Sequence, residues 1–367
     1  MPSAFEIASG ITRWALTRNM LEPVPGNMDS EYAAGIQIDS FTEAAEDILR
    51  RRGITSIVFS DPDHSVFVYT GKRVTQKEQE LLPNFIDECA IHYPHGSVDD
   101  LAPAEIQAQG SSVTLLPGPN GVHWYCCGSF ISPGNEASAG TLGALVADDQ
   151  QQLYGLSNNH VTGGCNHSAP GLPILAPGVK DVAAGVIAPF TIGYHHRVLP
   201  YALGTSGNVD ITRNTDAAIF RIANPQLVSS LQGGTFDTPT RVAEPVEGMR
   251  VAKVGRTTGY TEGRIVGREL RPIKVKAASP SNLFEGRIWF PNAFAVHGDQ
   301  REFSESGDSG ALVVSLNDDG TKSAVGLVFC GGPDSKAPGG KRSLIVPLAP
   351  ILQRLGVSLV SGHNVGT

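Results

Sequence analysis

The sequence predicts a mostly β protein built from many short strands, preceded by a small α/β domain. Three observations carry that expectation. The 367 residues include 42 glycines and 25 prolines, without the three-residue period of collagen. Apolar residues make up 41%, too many for a disordered chain, while charged residues make up only 17% against roughly 25% in ordinary proteins. Beyond residue 121, short runs rich in Val, Ile, Thr and aromatics recur between Gly, Asn and Pro, the texture of strands joined by tight turns.

Taken in order, residues 1–30 show no clear periodicity and carry Pro23, Pro25 and Gly26, so they read as an N-terminal arm. Residues 31–105 read as the α/β domain. Tyr32–Ile38 can form a strand, and Ser40-Phe-Thr-Glu43 has the form of a capping box opening a helix through Ala45, Ile48 and Leu49 that Gly53 stops. Ile54–Phe59 and Ser65–Tyr69 flank Asp61-Pro-Asp-His64 as a hairpin. A second box, Thr75-Gln-Lys-Glu78, opens a helix carrying Leu81 and Leu82 that Pro83 ends, and a short strand near Ile91–Tyr93 closes the unit. Residues 106–121, rich in Gln, Ser, Gly and Pro, read as a linker. Residues 122–367 form the large domain, with strand-like runs at Thr141–Val146, Leu153–Ser157, Ala217–Ile222, Arg250–Val254, Gly263–Val266, Ala311–Leu316 and Ala324–Phe329. One helix, Leu348–Leu355, ends at Gly356.

Charge and hydropathy exclude several functions. With 28 basic and 36 acidic residues the net charge is −8, so no basic field exists for nucleic acid or an anionic membrane. The longest nearly apolar run, Leu344–Leu352, contains two prolines and falls far short of the ~20 residues needed to cross a bilayer. Met1–Gly10 lacks a basic-then-apolar pattern, and a cytoplasmic location is expected. Five cysteines, an odd number, read as reduced thiols. Cys165 and His167 near His160 lack a paired Cys-x-x-Cys, so no metal and no cofactor is expected.

The most informative segment is Ser306-Gly-Asp-Ser-Gly-Ala-Leu-Val-Val314, a glycine-flanked serine in a turn leading into a strand. A nucleophilic serine needs a neutral base to take its proton and a carboxylate to hold that base. His160 stands where the apolar run Leu153–Ser157 ends, and Asp216 stands immediately before another run. Asp210 is the rival acid. Asp216 is preferred because the apolar residues after it can bury and orient a carboxylate, whereas Asp210 sits in polar surroundings.

Ser157-Asn-Asn-His160-Val, Thr215-Asp216-Ala-Ala-Ile and Gly307-Asp-Ser309-Gly, in the order His, Asp, Ser, resemble the trypsin/chymotrypsin-fold serine proteases. Subtilisins and α/β-hydrolases run in other orders. Ala139-Gly-Thr-Leu-Gly-Ala144, the Pro177-Gly178 pair followed by Asp181, and Val254-Gly-Arg-Thr-Thr-Gly-Tyr-Thr-Glu-Gly263 look like a bacterial branch resembling the plant Narrow-leaf protein. The resemblance covers about 113–355. It implies a trypsin-like double six-stranded antiparallel β-barrel, with His160 and Asp216 on the first barrel and Ser309 on the second. It also implies an oxyanion hole from the Gly307 and Ser309 amides, and a specificity pocket bounded by Phe303, Phe329 and Gly331. Phe303 stands where a trypsin carries a carboxylate, so apolar or small side chains are expected there and not Arg or Lys.

The implied function is a serine endopeptidase acting on protein or peptide through an acyl-enzyme. The alternative is a protease-like binding or scaffolding module with a blocked cleft; a Ser-dependent esterase is a third reading. A homo-oligomer is compatible with the sequence, and the N-terminal domain is a candidate gate for the cleft. No Ile-Val-Gly-Gly start is found near residue 140, so activation by a cut there is not expected, and Asp308 must find another partner than a new amino terminus.

Overall fold

The computed structural model describes residues 1–34, 36–98, 101, 115–121, 123–136, 139–178, 190–204 and 209–366. The N-terminal unit begins with α1 (Ala4–Thr17), in which Ser3 and Glu6 form a reciprocal capping box. Its Ile7, Ile11 and Trp14 share a core with Ile48, Leu49 and Val66. The segment expected as a loose arm is therefore packed: residues 4–21 join the core of the unit, and Val24 and Met28 pack against Ile211 and Trp289. Tyr32–Ile38 is no strand either: a 3₁₀ stretch spans Pro25–Ala34, and the Tyr32 hydroxyl donates to the Leu270 carbonyl at 2.6 Å. α2 (Glu43–Arg52) is capped by Thr42, two residues beyond the serine the pattern favours. The expected hairpin is present as β1 (Ile54–Ser60) and β2 (Ser65–Thr70). α3 (Gln76–Gln79) lasts a single turn, and β3 (Phe85–Ile86) pairs with β4 (Cys89–His92), which runs parallel to β2.

Residues 106–114 of the expected linker lie outside the described residues. Its end is ordered: β5 (Leu115–Pro117) pairs with β6 (His123–Cys127). The first β body then comprises β7 (Phe130–Pro133), β8 (Gly140–Thr141), β9 (Ala144–Ala147), β10 (Leu153–Ser157), the one-turn helix α4 (Asn159–Thr162), β11 (Pro173–Ala176), β12 (Phe190–Val198) and β13 (Ala218–Ile222). β14 (Val228–Gln232) and β15 (Phe236–Asp237) extend the small sheet of β5 and β6. The order β9-β10-β13-β12-β11-β7-β8 curls into a half-barrel around Leu142, Leu145, Ile174 and Phe220.

The second body is a closed six-stranded barrel made by β16 (Arg250–Gly255), β17 (Gly259–Glu269), β20 (Phe294–Gly298), β21 (Leu312–Ser315), β22 (Ala324–Pro333) and β23 (Lys341–Pro347). The β16–β17 hairpin closes it, in register from Arg250↔Arg264 to Gly255↔Gly259. A twisted hairpin, β18 (Ile273–Ser279) with β19 (Phe284–Phe290), is inserted between β17 and β20. α5 (Leu348–Leu355) ends at Gly356, whose φ of 63° is left-handed, and β24 (Ser358–Leu359) returns to pair with β9 of the first body. The architecture is thus mostly β, a closed six-stranded barrel and a half-barrel, consistent with the expected trypsin-like double barrel, and it carries a small N-terminal α/β unit.

The N-terminal unit is joined to the second barrel by strand pairing. β1 runs antiparallel to β17, with Val58 opposite Glu269 and Phe59 opposite Arg268, so one sheet passes from the barrel into the unit. Glycine makes this possible at Gly267, where a Cβ would stand 2.5 Å from the Val58 side chain.

Candidate active site

His160 lies in α4, the turn that follows β10 directly, and Asp216 precedes β13, the neighbour of β10. The paired strands bring both residues to one end of the half-barrel. The imidazole Nδ1 bonds to Asp216 Oδ2, and the His160 amide donates to Asp216 Oδ1 at 3.1 Å. Asp216 is fully buried. A third donor, the Tyr201 hydroxyl, also bonds Oδ1, while Asn158 Nδ2 holds the Asp216 carbonyl at 2.7 Å. Burial, reinforced by the Asp216 carboxylate, pushes the Tyr201 phenol well above its ordinary range, so it stays protonated and donates. Asp210, by contrast, is exposed and spends its carboxylate on Thr212 of its own turn.

Ser309 sits in the turn before β21, between Gly307 at φ 100° and Gly310 at φ 92°, both left-handed conformations that favour glycine. Thr141 of β8 clamps this loop across the two bodies. Its hydroxyl donates to the Gly307 carbonyl and its amide to the Ser309 carbonyl, each at 2.8 Å. The Ser306 carbonyl accepts from the Thr257 hydroxyl at 2.7 Å, and the Asp308 carbonyl accepts from the Ala311 amide at 2.9 Å. In a trans peptide the N–H points opposite to its C=O. Anchoring these two carbonyls therefore fixes the directions of the Gly307 and Ser309 N–H groups.

Asp308 finds its partner inside the chain. It is fully buried, and so is Lys253 of β16, whose Nζ lies 3.2 Å from Asp308 Oδ2. The amides of Thr257 and Glu305 donate to the same carboxylate at 2.7 and 3.0 Å, and the Thr258 hydroxyl at 2.7 Å. Burial pulls the Lys253 ammonium below its ordinary pKa, an effect that Asp308 opposes.

His160 and Ser309 line one cavity of about 90 Å³ together with Phe329, Cys330, Gly331 and Gly332 of β22. Phe329 and Gly331, two of the residues expected to bound a specificity pocket, thus line this cavity. Phe303 does not. It is fully buried among Val251, Ile265 and Val313 in the barrel core, with its ring 5.9 Å from Lys253 Nζ. It insulates the Lys253–Asp308 pair, and its neighbours Ser304 and Glu305 face the cavity instead. Glu305 is not a free charge, since Lys341 Nζ sits 2.6 Å away.

Sequence reading missed Tyr201, Thr141, Lys253 and Lys341. Thr141 lies inside a segment that the resemblance singles out and Lys253 adjoins one, whereas Tyr201, just beyond β12, and Lys341, at the start of β23, carry no local signal.

No protein-family model matches the chain. A curated relative, Protein NARROW LEAF 1 of Oryza sativa subsp. japonica, is 26% identical over 226 residues, 56% of this chain and 36% of the relative. The chain therefore spans about a third of the length of that relative. Among solved structures, Thermobifida fusca Protease A is similar over 65% of this chain and 98% of its own at 20% identity and a TM-score of 0.42. Nocardiopsis protease is similar over 64% of this chain and 97% of its own, at 18% and 0.40. Cellulomonas bogoriensis chymotrypsin covers 64% of this chain and 98% of its own, at 17% and 0.39.

Proposed function

We propose that the protein is a serine endopeptidase that cleaves peptide bonds through an acyl-enzyme. The observation that carries this reading is the His160 imidazole held by buried Asp216 and opening, with Ser309, into one cleft. With Nδ1 committed to Asp216, the other ring nitrogen is left as the proton acceptor. Ser309 Oγ adds to the peptide carbonyl carbon as His160 takes its proton, worth ~10² to 10⁴ in rate. The oxyanion is received by the Gly307 and Ser309 N–H groups; loss of one such donor costs ~10² to 10³. His160 then returns the proton to the leaving amine as the carbon–nitrogen bond breaks, and water releases the acyl group by the reverse sequence.

A fluorophosphonate probe tests the assignment. Wild type is expected to label and to hydrolyse casein, while Ser309→Ala and His160→Ala, with unchanged far-UV circular dichroism, do neither. Equal labelling of wild type and Ser309→Ala would remove Ser309 from its role. The pocket also bears on specificity. Its one carboxylate among the lining residues, Glu305, is neutralised by Lys341. A cationic side chain would enter without a free partner, at a desolvation cost. A peptide library is expected to show little cleavage after Arg or Lys; dominant cleavage there would refute this.

A further inference from the structure

The chain leaving the N-terminal unit runs beside the cleft. His95 to Ser97 form a strip sewn on one side to β2 and on the other to the end of β22. The Gly96 amide donates to the Thr70 carbonyl at 3.0 Å and the Ser97 amide to Pro333 at 3.3 Å; the Ser335 amide donates to His95 at 2.9 Å. Thr55 Oγ1 of β1 holds the Gly96 carbonyl at 2.8 Å. The strip presses on the cavity wall itself, for a Cβ on Gly332 would lie 2.3 Å from the Ser97 carbonyl oxygen. Further along, Leu101 is pinned to the β18–β19 hairpin by its amide, 2.7 Å from the Lys276 carbonyl, and is 4% exposed. Leu101 lines the same cavity as His160 and Ser309.

We infer that Leu101, braced by the strip His95–Ser97, is a specificity-determining wall of the cleft that limits the size of side chains on the acyl side of a bound peptide. The inference rests on the peptide-hydrolysing reading for the identity of the occupant. The second barrel alone supplies Phe329 to Gly332 as one flank. Leu101 is an apolar lining residue supplied by the segment that leaves the N-terminal unit, and its main-chain bond to Lys276 fixes it, so it can discriminate by volume. A side chain of Ala or Val size fits beside Leu101; one of Phe size competes with it for the same space.

Acetylated pentapeptides ending in a free carboxylate, with Ala, Leu or Phe at each of the last three positions, serve as probes. Their binding to the Ser309→Ala chain is measured by calorimetry. The all-Ala peptide is expected to bind about tenfold tighter than the Phe peptide at one position, the range that one apolar pocket can discriminate. Leu101→Ala should abolish that preference, Leu101→Phe should sharpen it, and Leu101→Met should leave it unchanged. An unchanged ranking in Leu101→Ala and Leu101→Phe, with melting curves like the parent's, overturns the inference, and so does the absence of any peptide binding. If neither variant folds, hydrogen exchange of the Ser97 and Leu101 amides in the Ser309→Ala chain decides: slowing by saturating all-Ala peptide supports the wall, and no change overturns it. Fluorophosphonate labelling of wild type, read separately, tells whether the hydrolytic reading has failed instead.

Discussion

A buried carboxylate survives only if its donors are in place, and at Asp216 they come from His160 and Tyr201. Asp216→Asn keeps the shape but offers an amide to the imidazole, favouring the wrong tautomer. Turnover of a peptide substrate is expected to fall by about 10³ to 10⁴, while Asp210→Asn, changed only in an exposed turn, is expected to match wild type. Exchanged behaviour of the two would reassign the acid. Tyr201→Phe removes one of the two donors on Asp216 Oδ1 and leaves that buried oxygen with the His160 amide alone, costing about 1 to 3 kcal/mol in urea unfolding. That His160 and Asp216 pair and that His160 and Ser309 share a cavity was legible because each sits in a recognisable string beside a strand-like run, His160 after one and Asp216 and Ser309 before one. Tyr201 was not, because nothing in Leu199-Pro-Tyr201 announces that β12 and β13 will fold its hydroxyl onto a carboxylate fifteen positions later. Phe303 was misplaced for a related reason: its position in the string is right, but a buried lysine needs an apolar cover, and the ring turns inward to supply it.

Elements were legible where apolar alternation was local. The β1–β2 hairpin and α5 read directly. β17 read only in part, because its inward residues are Gly259, Thr261, Gly263, Ile265, Gly267 and Glu269, small or polar where alternation would ask for large apolar ones. Gly263 leaves room for the Phe303 ring and Gly267 for Val58. The α1 helix was obscured in the same way by Gly10, a poor helix former that is needed because a Cβ there would stand 2.6 Å from the Ile36 carbonyl. The junction these glycines permit is electrostatic as well. Arg342 of β23 is 1% exposed, pairs with Glu269 at 2.9 Å, donates to Ser56 of β1 at 2.9 Å, and covers the Tyr69 ring of β2 at 3.7 Å. Separating the unit from the barrel would take the Ser56 hydroxyl and the Tyr69 ring away from Arg342 and break the β1–β17 pairing, so the two are expected to unfold together. Hydrogen exchange should give amides of β1 and β20 the same opening free energy. A distinctly lower value for β1 would make the N-terminal unit an independent foldon.

At the scale of the whole molecule the Ser309 loop is held by residues of both bodies, Thr141 from the first and Lys253, Thr257 and Thr258 from the second. In a trypsin-like zymogen, a cut before the first barrel frees an amino terminus to pair with the aspartate preceding the serine. Here that aspartate, Asp308, is already paired with Lys253, fully buried beside it. The region where such a cut would fall is itself in use, since Thr141 holds the Gly307 and Ser309 carbonyls and accepts the Arg256 amide at 3.1 Å. A break next to it would loosen the loop that the pairing is supposed to order. Uncut wild type, verified by intact mass, is therefore expected to react with a fluorophosphonate, and Lys253→Met to lose both reactivity and about 3 to 5 kcal/mol of stability, the cost of leaving a buried carboxylate without its cation. Adding Asp308→Asn to Lys253→Met should restore much of the stability, since no bare charge then remains. Reaction confined to molecules cleaved between about 122 and 141 would replace the internal lysine with a proteolytic switch.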